Sequence, residues 1–268
     1  PSEEQLALAE RRGAGEPRTG GSAANPAVEA RAFLSSHANY FADLDGSAAR
    51  IAPECDTLTG LRARIKDRHG LEIRFAPSSA LMGATRWHDY HRRRVLVNEA
   101  LDDAGRRFQL ALQLAILEQE DAIETALARG RFESEDGRLL AYRALQSYWA
   151  AALLMPYDAF AAAATKLRYD IEALAARFST SFEQAAHRLT TLQRPGAEGV
   201  PFFFLRVDRA GNVSKRLGGV EFPFARHGGG CPLWNVHTVF SQPGTLDAQL
   251  IELPDGERFV SIARTVRA

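Results

Sequence analysis

The sequence predicts an α+β fold: a mainly helical core with a small inserted β-sheet, followed by a smaller mixed α/β domain. Three observations carry this expectation. From Ala27 to about Arg194 apolar residues recur at three- and four-residue spacing, the period of helices that bury one face. Inside that stretch Leu71, Ile73 and Phe75 alternate with polar residues, the period of a strand. After Pro195-Gly196 the helical period gives way to strand-like runs such as Phe202-Phe203-Phe204-Leu205. The division that follows is a linker over residues 1–26, a helical domain over 27–196 and a C-terminal α/β domain over 197–268.

Taken in order, residues 1–26 hold Gly13, Gly15, Gly20 and Gly21 with scattered charge, and only Glu3 to Arg11 has the composition of a short helix. Ala30, Phe33, Leu34, His37, Tyr40 and Phe41 trace the first helix of the core. A second runs from Thr57 to His69 and stops at Gly70, the residue type that most readily adopts the left-handed cap. The strand at Leu71 to Phe75 is followed by a hairpin in which Met82 to Trp87 returns through His88 to His91 into Arg94 to Asn98. Helices are expected over Asp103–Arg129, Glu135–Leu154, Tyr157–Lys166, Asp170–Phe178 and Ser181–Leu192, the last opened by capping-box spacing from Thr180 to Glu183. In the C-terminal part, strands at Pro201–Val207 and Val213–Leu217 flank the turn Ala210-Gly211-Asn212. Two more, Gln249–Leu253 and Phe259–Val266, flank Pro254-Asp255-Gly256, with room for one helix near Pro232 to Ser241.

Composition narrows the function. With 33 basic against 33 acidic residues, the chain lacks a general attraction to phosphate backbones or anionic bilayers, so an anionic partner needs a local patch. Apolar runs such as Ala150 to Met155 fall far short of the roughly 20 residues that span a membrane. Cys55 and Cys231 are too few for a disulfide scaffold or a four-thiolate metal site, which points to a reducing, cytoplasmic setting. Lys66, Lys166 and Lys215 are the only lysines. Positive charge therefore resides in arginine, whose planar fork suits bidentate phosphate binding. The chain opens on Pro1, from which a further part upstream is expected.

The run Arg107-Phe108-Gln109-Leu110-Ala111-Leu112-Gln113-Leu114-Ala115-Ile116 resembles the active helix of the IrrE-like zinc peptidases. In that family the frame leads into His-Glu-x-x-His, two zinc ligands one turn apart with a glutamate as general base. Here those positions are Leu112, Gln113 and Ile116. Leucine and isoleucine offer no lone pair, and glutamine takes no proton from water near neutral pH. The segment Tyr148 to Pro156 also resembles the family, yet Tyr142 to Gln146, where the remaining metal-binding acid is expected, contains none. The resemblance thus implies a degenerate, zincin-like core with no metal and no catalysis. The helix pair Tyr169–Leu174 and Phe182–Leu189 fits the family's helical continuation. Its alternative reading, a DNA-reading helix-turn-helix, lacks a basic face.

The C-terminal runs Phe202 to Asp208, Ala210 to Arg216 and Gly228 to His237 are similar to those of the short-chain acyl-CoA-responsive regulators. These are bacterial transcription factors with an XRE-type N-terminal helix-turn-helix, a peptidase-like core without zinc and a mixed α/β sensor domain. The resemblance implies an effector-sensing fragment that binds a short-chain acyl-CoA, such as propionyl-CoA or acetyl-CoA, or coenzyme A itself. It further implies DNA binding only through the helix-turn-helix, a homodimer and no membrane partner. A cofactor is expected only as an iron–sulfur cluster in a cysteine-rich tail that some members carry and this chain does not.

A coenzyme A thioester presents phosphates, an adenine and a short apolar group, so its binder needs cations, aromatic faces and a small dry pocket. Arg206, Arg209, Lys215 and Arg216 lie on or beside adjoining strands, where alternate residues share a face, so that two or three converge. Arg92 and Arg94 close the core hairpin, with Arg74 on the preceding strand. Tyr148 is placed to offer its phenol across the former zinc cleft, or else to pack as a core aromatic. Phe204 and Trp234 supply aromatic faces or core packing, and His237 stands three residues beyond Trp234. Two competing arrangements are a metal cluster at His88, Asp89 and His91, and a nucleophile at Cys231 with His227 or His237. Solvated side chains in the first case, and a buried cysteine behind Gly228-Gly229-Gly230 in the second, are the plain alternatives. The remaining option is a structural dimerisation module.

Overall fold

The computed structural model describes residues 25–218, 234–253 and 256–266. The linker helix at Glu3 to Arg11, the glycine run before Cys231, and His227 lie outside the described residues. The chain separates into two compact units: residues up to Phe204 together with 217–220, and 205–216 together with 221–268.

In the first unit, helix α1 (Pro26–Ser36) begins where Asn25 accepts a hydrogen bond from the Ala27 amide and Pro26 needs none of its own. The apolar period from Ala30 to Phe41 does not form one helix. Ala38 and Asn39 take positive φ of 50° and 54°, and a separate helix, α2 (Ala42–Ile51), follows. Asn39 tolerates that conformation and is buried there, donating its side-chain amide to the Gly218 carbonyl. Helix α3 (Leu58–His69) starts at the Thr57 cap and ends at Gly70, with φ of 62°. The glycine cap expected from the sequence is therefore present, and Thr57, expected as the first helical residue, is the N-cap.

The inserted sheet has three strands, β1 (Glu72–Ala76), β2 (Arg86–Asp89) and β3 (Arg94–Asn98), in the order β1-β3-β2. β2 and β3 form the antiparallel hairpin, but β2 starts at Arg86 and takes in His88 and Asp89, expected in the turn, while Met82, expected in the strand, closes a 3-10 turn with φ of 51°. β1 runs parallel to β3, with Ile73 beside Val95. Ile73, Val95 and Val97 point into the core.

Helix α4 (Asp103–Glu118) is capped by Asp102, whose carboxylate accepts from the Gly105 amide at 2.7 Å. The expected continuous helix to Arg129 is broken at Gln119, with φ of −121°, and resumes as α5 (Glu120–Leu127). No glycine or proline marks that break. Its cause lies in contacts from elsewhere: Ser47 donates to the Gln119 side chain, and the preceding Glu118 is held by Arg64 and His69.

Helix α6 (Glu135–Leu154) is the centre of the unit, packing against α1, α2 and α4 through Ala141, Leu145, Trp149 and Ala152. The shorter helices α7 (Tyr157–Lys166), α8 (Ile171–Phe178) and α9 (Phe182–Leu189) enclose a second core of Met155, Phe160, Leu174, Leu189 and Leu192. The capping box of α9 is Ser181 with Gln184, one residue later than the expected Thr180 and Glu183, and both of its hydrogen bonds form. Among the described residues no helix is long and apolar enough to cross a membrane.

Beyond the first unit's helices, β4 (Phe203–Val207) and β5 (Val213–Gly218) form a hairpin closed around Asp208 and Gly211, whose φ is 83°. A four-residue helix, α10 (Asn235–Thr238), continues as a 3-10 turn to Ser241. It packs on an antiparallel pair, β6 (Leu246–Glu252) and β7 (Arg258–Arg264). Asn235 ties these together, donating to the carbonyls of Asp247 and Ser261 and accepting from the Ser261 hydroxyl.

The join between α3 and α4 carries a pH dependence. Burial pushes the Glu118 carboxyl up, but hydrogen bonds from Arg64 and His69 outweigh it and hold the group below its ordinary value. A depressed carboxylate contributes stability above the unfolded value of about 4.3, and that contribution is lost as pH falls through the folded value. Melting temperature followed from pH 7 downward should therefore fall more steeply below about pH 4.5 in the wild type than in Glu118→Gln. Parallel curves would show that this carboxylate carries none of the acid sensitivity.

Candidate functional site

Helix α4 presents the vestigial face. Arg107 anchors it from a buried position, donating at 2.7 Å to the carbonyls of Phe178, Ser179 and Asp56. One turn and a half further on, Gln113 is 1% exposed. Its side-chain amide lies 3.5 Å from Nδ1 of His88 on β2, while the His88 Nε2 is enclosed with no hydrogen-bond partner. Burial and the neighbouring Arg86 keep His88 below its ordinary pKa, so the neutral imidazole is favoured. Its ring stacks on Tyr90 at 3.8 Å between centroids. Arg86 donates to the Gln109 carbonyl, and burial draws its own pKa down to about 10.

This donor set does not fit zinc. Leu112 packs against the apolar core, neither it nor the half-buried Ile116 carries a lone pair, and an amide replaces the general base. On α6, the expected place of the third ligand holds Tyr142, Arg143 and Gln146. Among the described residues no three His, Cys, Asp or Glu side chains cluster closely enough to hold a metal ion. In particular, Asp89 is occupied by the Arg92 amide and the Arg94 guanidinium, each at 3.1 Å, which removes the His88, Asp89 and His91 arrangement. Cys55 is buried in the core, and burial pushes its thiol up to about 11, far from a reactive thiolate.

The sequence-derived residues fall into separate groups. Arg74 pairs with Glu72 at 3.0 Å and Arg94 with Asp89, while Arg92 stands exposed in the turn between β2 and β3. Tyr148 does not offer its phenol to a cleft. It is buried, donates to Asp45 and accepts from the Phe41 amide at 3.1 Å, the core-aromatic alternative. Phe204 meets the His187 ring edge-on at 4.4 Å. Arg206 donates to Ser214 across the β4–β5 hairpin at 2.9 Å, so these two share a face. Strand alternation then places Arg216 on the same face and Lys215 on the other. Convergence of all three cations on one face is thereby excluded. Trp234 donates to the Ser261 hydroxyl at 2.9 Å, and the exposed His237 lies near the hairpin turn, where a Cβ on Gly211 would approach its ring to 4.0 Å.

Sequence reasoning missed the buried polar groups that organise the helical unit. Arg188 on α9 donates to Asp45 on α2 and to the Met155 carbonyl, and its guanidinium faces the rings of Tyr148 and Tyr157. No local signal marks this pair, because 143 residues separate its members. Gln113 was legible as a departure from a metal-binding pattern, but its contact with His88 was not.

Fold and site together define a peptidase-type helical domain whose metal positions are apolar, joined to a C-terminal mixed domain. Residues 66–190 match the IrrE N-terminal-like domain, and residues 191–268 match the C-terminal domain of the short-chain fatty acyl coenzyme A regulators. The chain belongs to this family of transcriptional regulators. It is 52% identical over 160 residues to a propionyl-CoA carboxylase regulator of Cereibacter sphaeroides, covering 60% of this chain and 35% of that protein. It is 39% identical to the HTH-type transcriptional regulators RamB and PrpR of Mycobacterium tuberculosis, over 92% and 91% of this chain and 53% and 51% of theirs. A solved Mycobacterium tuberculosis transcriptional regulator superposes with a TM-score of 0.85 at 38% identity, over 91% of this chain and 75% of that one. The chain thus spans between about a third and about half of the length of the curated relatives it matches.

Proposed function

We propose that this chain is the effector-binding region of a cytoplasmic bacterial transcriptional regulator, and that it senses a short-chain acyl-CoA without catalysing a reaction. The observation that carries the reading is the match of residues 191–268 to the acyl-CoA regulator domain, attached to a core whose metal positions are Leu112 and Ile116 and whose general-base position is Gln113. The name of the Cereibacter relative supports propionyl-CoA metabolism as the setting. Arg206 and Arg216, two cations on one hairpin face, are the assigned phosphate contacts, since a guanidinium binds phosphate oxygens in bidentate fashion. Lys215 on the opposite face is assigned a lesser role, and Trp234 and His237 the side facing the adenine or acyl group. The regulator works as a homodimer, and the acyl-CoA shifts its activity by binding one of two states more tightly than the other.

Isothermal titration of the chain with propionyl-CoA, acetyl-CoA and free coenzyme A tests this reading. Saturable binding that distinguishes the thioesters from free coenzyme A is the expected result. Arg206→Ala combined with Arg216→Ala should weaken it at least about tenfold while leaving the melting temperature near that of the wild type, as loss of charge-assisted phosphate bonds requires. No heat and no thermal shift with any of the three ligands would overturn acyl-CoA sensing by this chain.

A further inference from the structure

We propose that the outer face of the β6–β7 sheet is a self-association surface that packs against the same face of a second copy of this chain. Alternation along the two strands separates the faces. The inner one, with Asn235 hydrogen-bonded against it, carries Ser261 and Ala263, both buried. The outer one shows Leu246, Leu250, Val260 and Ile262 at 45%, 67%, 66% and 42% exposure, together with Ala248. These side chains are contiguous, because Leu250 lies directly across from Val260 and Ala248 directly across from Ile262. Four large apolar side chains in register form a patch, and a two-stranded sheet gains little stability until such a face is covered.

The charges flanking the patch select the occupant. At one end of the outer face Glu252 pairs with Arg258 at 2.8 Å, and at the other Leu246 lies opposite Arg264. A two-fold axis parallel to the strands lays β6 of one copy over β7 of the other. Every row is then complementary: Glu252 over Arg258, Leu250 over Val260, small Ala248 over large Ile262, and Leu246 over the aliphatic stem of Arg264. An axis across the strands would instead bring Arg258 over Arg264, two like charges. The face is thus self-complementary in one arrangement only. A patch this small lies at the weak end of interfaces, so the dimer it forms is concentration-dependent.

This inference rests on the homodimer part of the reading above and is independent of acyl-CoA binding. Sedimentation of the chain from about 1 to about 200 µM, a span suited to a small interface, should show a reversible monomer–dimer equilibrium. Leu250→Glu, at a position already 67% exposed, should raise the dissociation constant about tenfold or more by placing a charge at the apolar centre. Glu252→Arg should also weaken the dimer, and the exchange Glu252→Arg with Arg258→Glu should restore it, because the rows again pair opposite charges. A dimer indifferent to these changes overturns the surface while leaving the homodimer standing. A wild-type chain that remains monomeric throughout overturns both, and means that this face is covered from within the chain or by a different partner.

Discussion

Replacing Arg188 with leucine is expected to destabilise the helical unit by about 3–5 kcal/mol, because it leaves the Asp45 carboxylate buried without its counter-charge. The guanidinium is wholly buried, donates to Asp45, and also satisfies the Met155 carbonyl and the Thr191 hydroxyl, each at 3.0 Å. Tyr148 completes the arrangement by donating to the same carboxylate, and burial raises its phenol far above the ordinary range, so it remains a donor. At roughly 2–4 °C per kcal/mol for a chain of this size, the melting temperature should fall by about 10 °C. The double variant Asp45→Leu with Arg188→Leu should recover a large part of the loss, since removing both charges also removes the desolvation cost. Thermal melts of the three variants decide it. An Arg188→Leu protein within 2 °C of the wild type, using the same size scaling, would show that the pair holds nothing together.

The second large effect is expected at Arg107. Its three 2.7 Å bonds end on main-chain carbonyls: Phe178 and Ser179 at the close of α8, and Asp56 before α3. Ser179 takes the left-handed conformation with φ of 51°, which turns two carbonyls toward one donor. Arg107→Met keeps the aliphatic volume but leaves these acceptors unpaired, at a cost of about 2–4 kcal/mol. Arg107→Lys should restore only part of it, because an ammonium lacks the rigid fork that reaches three acceptors at once. Urea unfolding gives the measurement; equal stability of the lysine variant and the wild type would rule out the fork as the reason. The arginine that introduces the metallopeptidase-like helix thus has a structural role independent of any metal, which accounts for its presence in a helix with Leu112, Gln113 and Ile116.

Much of the local structure is legible in the residues themselves. Thr57 and Gly70 bracket α3 because a side-chain acceptor and a residue free to adopt positive φ are local requirements. The presence of a hairpin ending in β3, though not the bounds of β2, and the length of α6 follow in the same way from period and caps. That Leu112 and Ile116 offer zinc no ligand is equally legible, since lone pairs belong to residue types and not to their arrangement. The parallel pairing of β1 with β3 was not, because period two is the same in either direction.

Three features were decided only when the chain folded. Helices α4 and α5 part at Gln119 although every residue there tolerates a helix, because Ser47, Arg64 and His69 hold its neighbourhood from other elements. Tyr148 belongs to the core and not to a cleft because Asp45 and Phe41, more than 100 residues away, supply its partners. The cations of the β4–β5 hairpin divide between two faces because the register that pairs Arg206 with Ser214 sets which side each one takes. By itself the sequence determined most of the elements, the glycine cap of α3 and the lack of metal-binding groups on α4, all consequences of residue type and local spacing. The tertiary structure alone decided where helices break and which polar side chains become partners, because those outcomes depend on distances between residues far apart in the chain.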